Sequence, residues 1–223
     1  MTKNREYRPE PRLYDIVAVS FVALLILSNI AATKLIGLEI GPAFLVFDGG
    51  AVLFPLTYIL GDVLAEVYGF QRAKRAILMG FAFSIIAALT FLVVGAAPAG
   101  PGYENQDAFV AVLGFVPRIV AASVLGYLAG QLLNSWVLVK IKGRWGEDHL
   151  WARLLGSTLV GEFADTLIFC TVAFYGVITG AEFLNYLIVG YVYKVGVEVV
   201  LLPVTYRVIA FIKKAESKQV ANV

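Results

Sequence analysis

Long apolar stretches alternate with short polar connections along the chain. Six of these stretches are long enough for a helix that crosses a bilayer, which needs roughly 20 mostly apolar residues. The connections between them contain Gly, Pro, Asn and Asp, which favour turns over continued helix. The pattern predicts an all-α, polytopic membrane protein with six transmembrane helices, at residues 13–33, 49–69, 75–96, 116–140, 154–176 and 184–211.

Two features interrupt this regular pattern. Residues 37–50, GLEIGPAFLVFDGG, have two glycine-bracketed halves and form either a plain loop or a re-entrant or interfacial segment. Pro55 and Pro203 fall inside the second and sixth predicted helices, where a missing backbone N–H interrupts helical hydrogen bonding. The sequence therefore predicts a kink at each proline.

Positive charge lies on one side of the predicted topology. Fifteen of the 18 Lys and Arg residues precede the first helix, lie in the second and fourth connections, or follow residue 206. Because basic loops are retained in the cytoplasm, both termini are predicted to be cytoplasmic, which requires an even number of helices. Residues 1–12 and 212–223 then form cytoplasmic tails on either side of a transmembrane domain at 13–211.

Composition excludes several classes of function. The chain is 60% hydrophobic with a mean hydropathy of +0.81, so six spans leave no room for a soluble catalytic domain. Cys170 is the sole cysteine, which excludes an intrachain disulfide and a multi-cysteine metal site. There is no His-rich ligand pattern of the kind that a membrane-embedded metalloenzyme would need. The sequence predicts a protein surrounded by lipid that is not an enzyme and has no cofactor, metal or nucleic-acid partner.

Ionisable side chains nevertheless lie inside the predicted helices, where each costs at least about 2.5 to 3.5 kcal/mol. There are two lysines and five carboxylates. Residues three or four apart share a helix face: Asp62 with Glu66 in helix two, Glu162 with Asp165 in helix five, and Lys194 with Glu198 in helix six. Asn29 and Lys34 end helix one. Pairing of Lys34 with Asp62, or of Lys194 with Glu198, would hold helices together. The remaining acids must face water, carry a proton or bind a solute, so the pattern indicates a solute or proton pathway.

Helix four carries neutral polar groups. Gln131 and Asn134 lie three residues apart on one face, with Trp136 nearby, and such amides either bond to another helix or face a cavity. Acidic pairs in helices two and five, and lysines in helices one and six, also make a three-plus-three repeat conceivable.

Three stretches resemble the signature blocks of a known family. They are FPLTYILGDVLAEVYGFQRAKRAI at 54–77, GSTLVGEFADTLIF at 156–169 and YVYKVGVEVVLLPVTYRV at 191–208. In this order and spacing they are similar to the putative vitamin uptake transporter family, also called queuosine precursor transporters. The resemblance implies import of a 7-deazaguanine, such as the nitrile preQ0 or the aminomethyl compound preQ1, across a cytoplasmic (inner) membrane without an ATPase domain. The residues that match the blocks are Asp62, Glu66, Glu162, Asp165, Thr166, Lys194 and Glu198.

The chemistry of such a base suits these side chains. Its ring N–H and exocyclic amine can donate together to one carboxylate, its acceptors can meet amides or lysines, and an aromatic ring can stack on it. The predicted substrate-binding residues are Asn29, Lys34, Asp62, Glu66, Gln131, Asn134, Trp136, Glu162, Asp165, Thr166, Lys194 and Glu198.

The predicted mechanism is alternating access around a site near the middle of the bilayer. Two alternatives remain: a substrate-binding membrane subunit that needs a separate energising module, or a secondary transporter for another vitamin or nucleobase-like solute. Whether the protein is a homo-oligomer, and whether a proton is coupled to transport, also stays open.

Overall fold

The computed structural model of the protein describes residues 13–145 and 150–220, and the predicted tail 1–12 lies outside this range. The chain is mostly helical, with one pair of strands between the first two helices. In order, the elements are α1 (Tyr14–Ala31), β1 (Leu35–Ile40), β2 (Ala43–Asp48), a 3-10 helix (Gly49–Val52), α2 (Phe54–Tyr68), α3 (Phe70–Ala96), α4 (Gln106–Leu113), α5 (Val116–Trp145), α6 (Leu150–Phe174) and α7 (Gly180–Val220).

Five helical stretches within the described residues are long and apolar enough to cross a membrane, so the chain is a multi-pass membrane protein. The second predicted span falls on α2, which has only 15 residues, or about 22 Å at 1.5 Å per residue. Helix α7 also continues beyond the sixth predicted span, so part of the predicted tail 212–223 is helical. The five stretches are Tyr14–Ala31, Phe70–Ala96, Gln106–Ile141, Gly156–Phe174 and Gly180–Ser217.

The two prolines lie at different positions within their helices. Pro55 lies in the first turn of α2, where its missing N–H would have no helical partner, so the kink predicted there is wrong. Pro203 lies inside α7, where it removes one internal hydrogen bond.

The connection between α1 and α2 is a β-hairpin, which the all-α prediction did not include. Strands β1 and β2 pair antiparallel from Leu35 opposite Asp48 to Ile40 opposite Ala43. Gly41 and Pro42 form the two-residue turn, and the φ of 58° at Gly41 is one that glycine adopts without strain. The apolar residues of this segment do not follow the period of a helix. The two-residue turn was the feature that could have indicated a hairpin.

The side chain of Asn185 on α7 makes two hydrogen bonds to the hairpin. Asn185 accepts a hydrogen bond from the Val46 N–H at 2.9 Å and donates one to the Phe44 carbonyl at 2.7 Å. The amide therefore pairs with the free edge of β2 as a neighbouring strand would.

Helices α5 and α6 pack closely because glycines line their crossing. A Cβ at Gly130 would lie 2.9 Å from the Gly161 carbonyl oxygen, and a Cβ at Gly126 would lie 2.8 Å from Oδ1 of Asp165. Gly126 and Gly130 are four residues apart, the spacing that lets two membrane helices approach along one face. The close crossing brings Asp165 of α6 and Asn134 of α5 to the same region of the bundle.

Hydrogen bonds show which chain ends share an end of the bundle. Glu216 Oε1 near the end of α7 accepts from the Leu13 N–H at 2.9 Å and from the Tyr68 hydroxyl at 3.0 Å. We call this the terminal end. At the opposite end, which we call the hairpin end, Arg118 donates to the carbonyls of Val172 and Tyr175 at 2.7 and 2.6 Å and joins the start of α5 to the end of α6.

Candidate functional site

A cavity of about 570 Å³ lies between the helices. Side chains from α1, α2, α3, α5, α6, α7 and the segment that follows β2 line it. Small-molecule sites in proteins are commonly about 300 to 1,000 Å³, so the cavity has the size of a solute site.

Most of the predicted binding residues meet in this cavity, although they come from five different helices. Those that line it are Asn29, Asp62, Gln131, Asn134, Glu162, Asp165, Thr166, Lys194 and Glu198.

The other three predicted residues are not among the described residues that line the cavity. Lys34 is exposed in the turn before β1. Glu66 is exposed, with its Oε2 3.8 Å from Nζ of Lys213 near the terminal end. Trp136 is 57% exposed, and Nζ of Lys140 lies 4.5 Å from its ring centroid. Lys34 follows the end of α1, whereas Glu66 and Trp136 lie within about one turn of the cavity residues Asp62 and Asn134 and are exposed on their helices.

The ammonium of Lys194 forms an ion pair with Asp165, so α7 is joined to α6. The predicted pairing of Lys194 with Glu198 on its own helix is not found, and the exposed position of Lys34 excludes a pair with Asp62 inside the cavity. The rings of Phe54 and Phe169 lie 5.5 and 6.0 Å from Nζ of Lys194, within the range of cation–π attraction.

Three buried oxygen atoms of the cavity have no hydrogen-bond partner within the described part of the chain. They are Oδ1 of Asn134, Oε2 of Glu162 and Oγ1 of Thr166. Glu162 and Thr166 are one turn apart on α6, and Asn134 faces them from α5 beside Gly161. Buried polar atoms cost free energy unless they bind a partner, so this group is suited to a ligand that brings hydrogen-bond donors.

Asn29, in contrast, already has partners. Its amide donates to Oγ of Ser84 at 3.3 Å and its carbonyl accepts from Oγ of Ser123 at 2.8 Å. Asn29 therefore connects α1 with α3 and α5, and it lines the cavity as part of its frame.

Asp48, at the end of β2, lines the cavity and was not predicted as a site residue. It accepts hydrogen bonds from the Gly50 N–H at 2.8 Å and from the Tyr186 hydroxyl at 2.7 Å. Burial raises the pKa of the Asp48 carboxyl, while the hydrogen bonds from Tyr186 and Gly50 act in the opposite direction. In a sequence, an acid followed by two glycines is typical of a turn. Only the folded hairpin shows that Asp48 lines the cavity.

The remaining cavity carboxylates come from three helices. They are Asp62 of α2, Glu162 of α6 and Glu198 of α7, and Tyr58 of α2 lines the cavity with them. Within residues 13–145 and 150–220, no group of three or more His, Cys, Asp or Glu side chains is arranged to hold a metal ion.

Burial differs between the two ends of the cavity. At the hairpin end, the lining residues Ala32, Cys170 and Tyr186 are 1 to 3% exposed. From the middle of α5 onwards, Gln131 is exposed and Asn134 is partly exposed. The lining at the hairpin end is therefore more deeply buried than the lining at these two residues.

A multi-pass helical bundle around a polar, solute-sized cavity defines a class of membrane transport proteins. The chain belongs to the family described as putative vitamin uptake transporter, whose sequence profile matches residues 48–208. This family consists of transporters and not of enzymes.

Named relatives agree with this assignment. The chain is 34% identical over 160 residues to a protein of Bacillus subtilis (strain 168) named "Probable queuosine precursor transporter", with 70% of this chain and 69% of that protein covered. It is 28% identical over 165 residues to a protein of Escherichia coli (strain K12) named "Queuosine precursor transporter", with 72% and 71% covered. No solved structure matches the chain significantly.

Proposed function

We propose that this protein imports a queuosine precursor, a 7-deazaguanine such as preQ0 or preQ1, across the cytoplasmic (inner) membrane. The names of the relatives supply the substrate class. The observation from the structure that carries the proposal is the group of unpartnered acceptors at Asn134, Glu162 and Thr166 in a cavity of about 570 Å³.

The donor edge of a 7-deazaguanine suits this group. Its ring N–H and exocyclic amine point the same way, and the Glu162 carboxylate can accept both in a charge-assisted pair. Thr166 and Asn134 lie beside Glu162 and offer further oxygen atoms to the same ligand. An analogue without the amine leaves these acceptors unpaired, so discrimination against it is expected to be strong.

Six membrane crossings with cytoplasmic termini fit the contacts at the terminal end. Leu13, at the start of the described chain, bonds to Glu216 near its end, and this contact supports an even number of crossings. The five long helical stretches and α2 together make six. The bias of basic residues supports a cytoplasmic location for the terminal end. The three-plus-three repeat and a homo-oligomer stay predictions.

In this orientation the more deeply buried hairpin end faces outwards and the terminal end faces the cytoplasm. Alternating access then requires the hairpin end to open and the terminal end to close in turn. Asn185 and the Tyr186–Asp48 bond hold the hairpin shut, and release of these contacts is the step that would open the cavity outwards.

Cys170 can report this opening, because it is the sole cysteine and lines the hairpin end of the cavity. Asn185→Ala removes two hydrogen bonds of about 1 kcal/mol each from the hairpin. We expect modification of Cys170 by a membrane-impermeant maleimide, added outside cells, to become about tenfold faster. Labelling is measured by mass spectrometry of the purified protein.

The control for this prediction is Leu184→Ala, a change at the exposed neighbouring residue that leaves the amide contacts intact. An unchanged labelling rate in Asn185→Ala, or an equal rise in both variants, would contradict the role of the hairpin as an outer closure.

The proposed function is tested with the purified chain in liposomes and a radiolabelled 7-deazaguanine. We expect saturable uptake by the chain alone. Uptake that appears only when a membrane extract supplies a partner would favour the alternative of a substrate-binding subunit, and uptake of other bases but no 7-deazaguanine would favour another nucleobase-like solute. Comparison of vesicles with and without a proton gradient separates coupled transport from facilitated diffusion.

A further inference from the structure

The cavity has an unequal balance of charge. In the described part of the chain, five carboxylates and one ammonium line it. Lys194, the ammonium, is already paired with Asp165. Asp48 has its own donors, the hydroxyl of Tyr186 and the N–H of Gly50. The carboxylates of Asp62, Glu162 and Glu198 remain, and none of them has an ion-pair partner among the described residues.

These three acids come from three helices and have different neighbours in the cavity. Glu162 lies with the unpartnered oxygens of Thr166 and Asn134, which suits the neutral donor edge of a base. Asp62 and Glu198 line the same cavity from α2 and α7, and these two helices pack against each other. Two carboxylates that face one partly buried cavity repel each other, and a bound cation would turn this repulsion into attraction.

We propose that Asp62 and Glu198 hold a cationic substituent of the substrate, so that the protein prefers the aminomethyl 7-deazaguanine over the nitrile. This inference rests on the proposed function. A primary amine is protonated at neutral pH and donates three hydrogen bonds. A nitrile carries no charge and only accepts hydrogen bonds. It therefore cannot donate to the two carboxylates, and their mutual repulsion remains.

The expected preference for the aminomethyl compound depends on the hydrogen bonds that only this compound can form. Both compounds present the same base to Glu162, Thr166 and Asn134. The aminomethyl compound adds charge-assisted hydrogen bonds to Asp62 and Glu198, which are the stronger class. We expect a preference of about tenfold or more in half-inhibitory concentration.

The experiment measures uptake of each labelled compound into liposomes by the intact chain, and its inhibition by the other compound unlabelled. For the wild type, the aminomethyl compound is expected to inhibit at about tenfold lower concentration than the nitrile. Glu198→Gln and Asp62→Asn are expected to bring this ratio towards one, mainly through weaker inhibition by the aminomethyl compound. Glu66→Gln is the matched control, because Glu66 is an exposed acid away from the cavity, and its ratio stays that of the wild type.

Each outcome supports or overturns the proposal. A wild type that is inhibited equally, or better, by the nitrile overturns the charge preference while the proposed function stands. Transport of neither compound overturns the proposed function itself. If one variant is not obtained as folded protein, the wild-type ratio and the other variant decide.

Discussion

Uptake of a 7-deazaguanine is expected to fall at least about tenfold in Glu162→Gln. One buried oxygen of Glu162 has no hydrogen-bond partner among the described residues, and a carboxylate is the strongest type of acceptor for the donor edge of the base. The glutamine has the same shape but lacks the charge, and it replaces one acceptor by a donor that faces the donors of the ligand. Loss of a hydrogen bond to a charged group corresponds to about 1.5 to 3 kcal/mol. The measurement is initial uptake rate against substrate concentration in liposomes.

Glu66→Gln separates this effect from a general effect of acid removal. Both changes remove one carboxylate from a signature block, but Glu66 is exposed and lies away from the cavity. Uptake by Glu66→Gln is expected to match the wild type. Thermal unfolding in detergent checks that both variants fold. Normal uptake by folded Glu162→Gln would remove Glu162 from the site.

The largest effect on stability is expected from Lys194→Met. Lys194 is the single cation among the described residues of the cavity, and it is paired with Asp165. Its removal leaves the Asp165 carboxylate unpaired in a partly buried site that already contains other acids. Breaking a buried ion pair in this way costs about 3 kcal/mol. A fall in the midpoint of thermal unfolding of about 6 to 12 °C is expected in detergent.

The two partners of this pair are not equivalent. Asp165→Asn leaves an ammonium that still interacts with Glu162, so this change is expected to cost less than Lys194→Met. The double variant Lys194→Met with Asp165→Asn carries no unpaired charge from the pair and should regain part of the lost stability. Lys34→Met, at an exposed lysine, is the control and should unfold like the wild type. Equal losses in both single variants would contradict the asymmetry.

Local chemistry explains why much of the membrane topology could be predicted. A run of roughly 20 apolar residues signals a spanning helix wherever it occurs, and the five long helical stretches follow such runs. Helix α2 is the exception, because its apolar run includes the 3-10 helix Gly49–Val52 and only 15 residues are α-helical. The hairpin at 35–48 was missed for a related reason. A short apolar segment is compatible with loop, strand or helix until its partner strand is known.

The site was predictable by residue type and less so by position. A charged side chain inside the bilayer costs free energy, so the carboxylates of α2, α6 and α7 were functional candidates. Asp62, Glu162 and Glu198 do meet in the cavity. Glu66 belongs to the same pattern but lies outside, because a residue one turn along the helix can be near its end and exposed. Asp48 was missed because its role depends on the hairpin and on Tyr186, which is 138 positions away.

The sequence by itself determined that this is a multi-pass membrane protein with an excess of acids in its helices, because hydrophobicity and charge are properties of each segment. Only the tertiary structure decided which side chains contact one another. Gly126 and Gly130 let α5 pack closely against α6 at Asp165, and Asp165 in turn pairs with Lys194 of α7. Which side chains share a cavity depends on how each helix is rotated and where it crosses its neighbours, and these quantities are set by packing between segments distant in the chain.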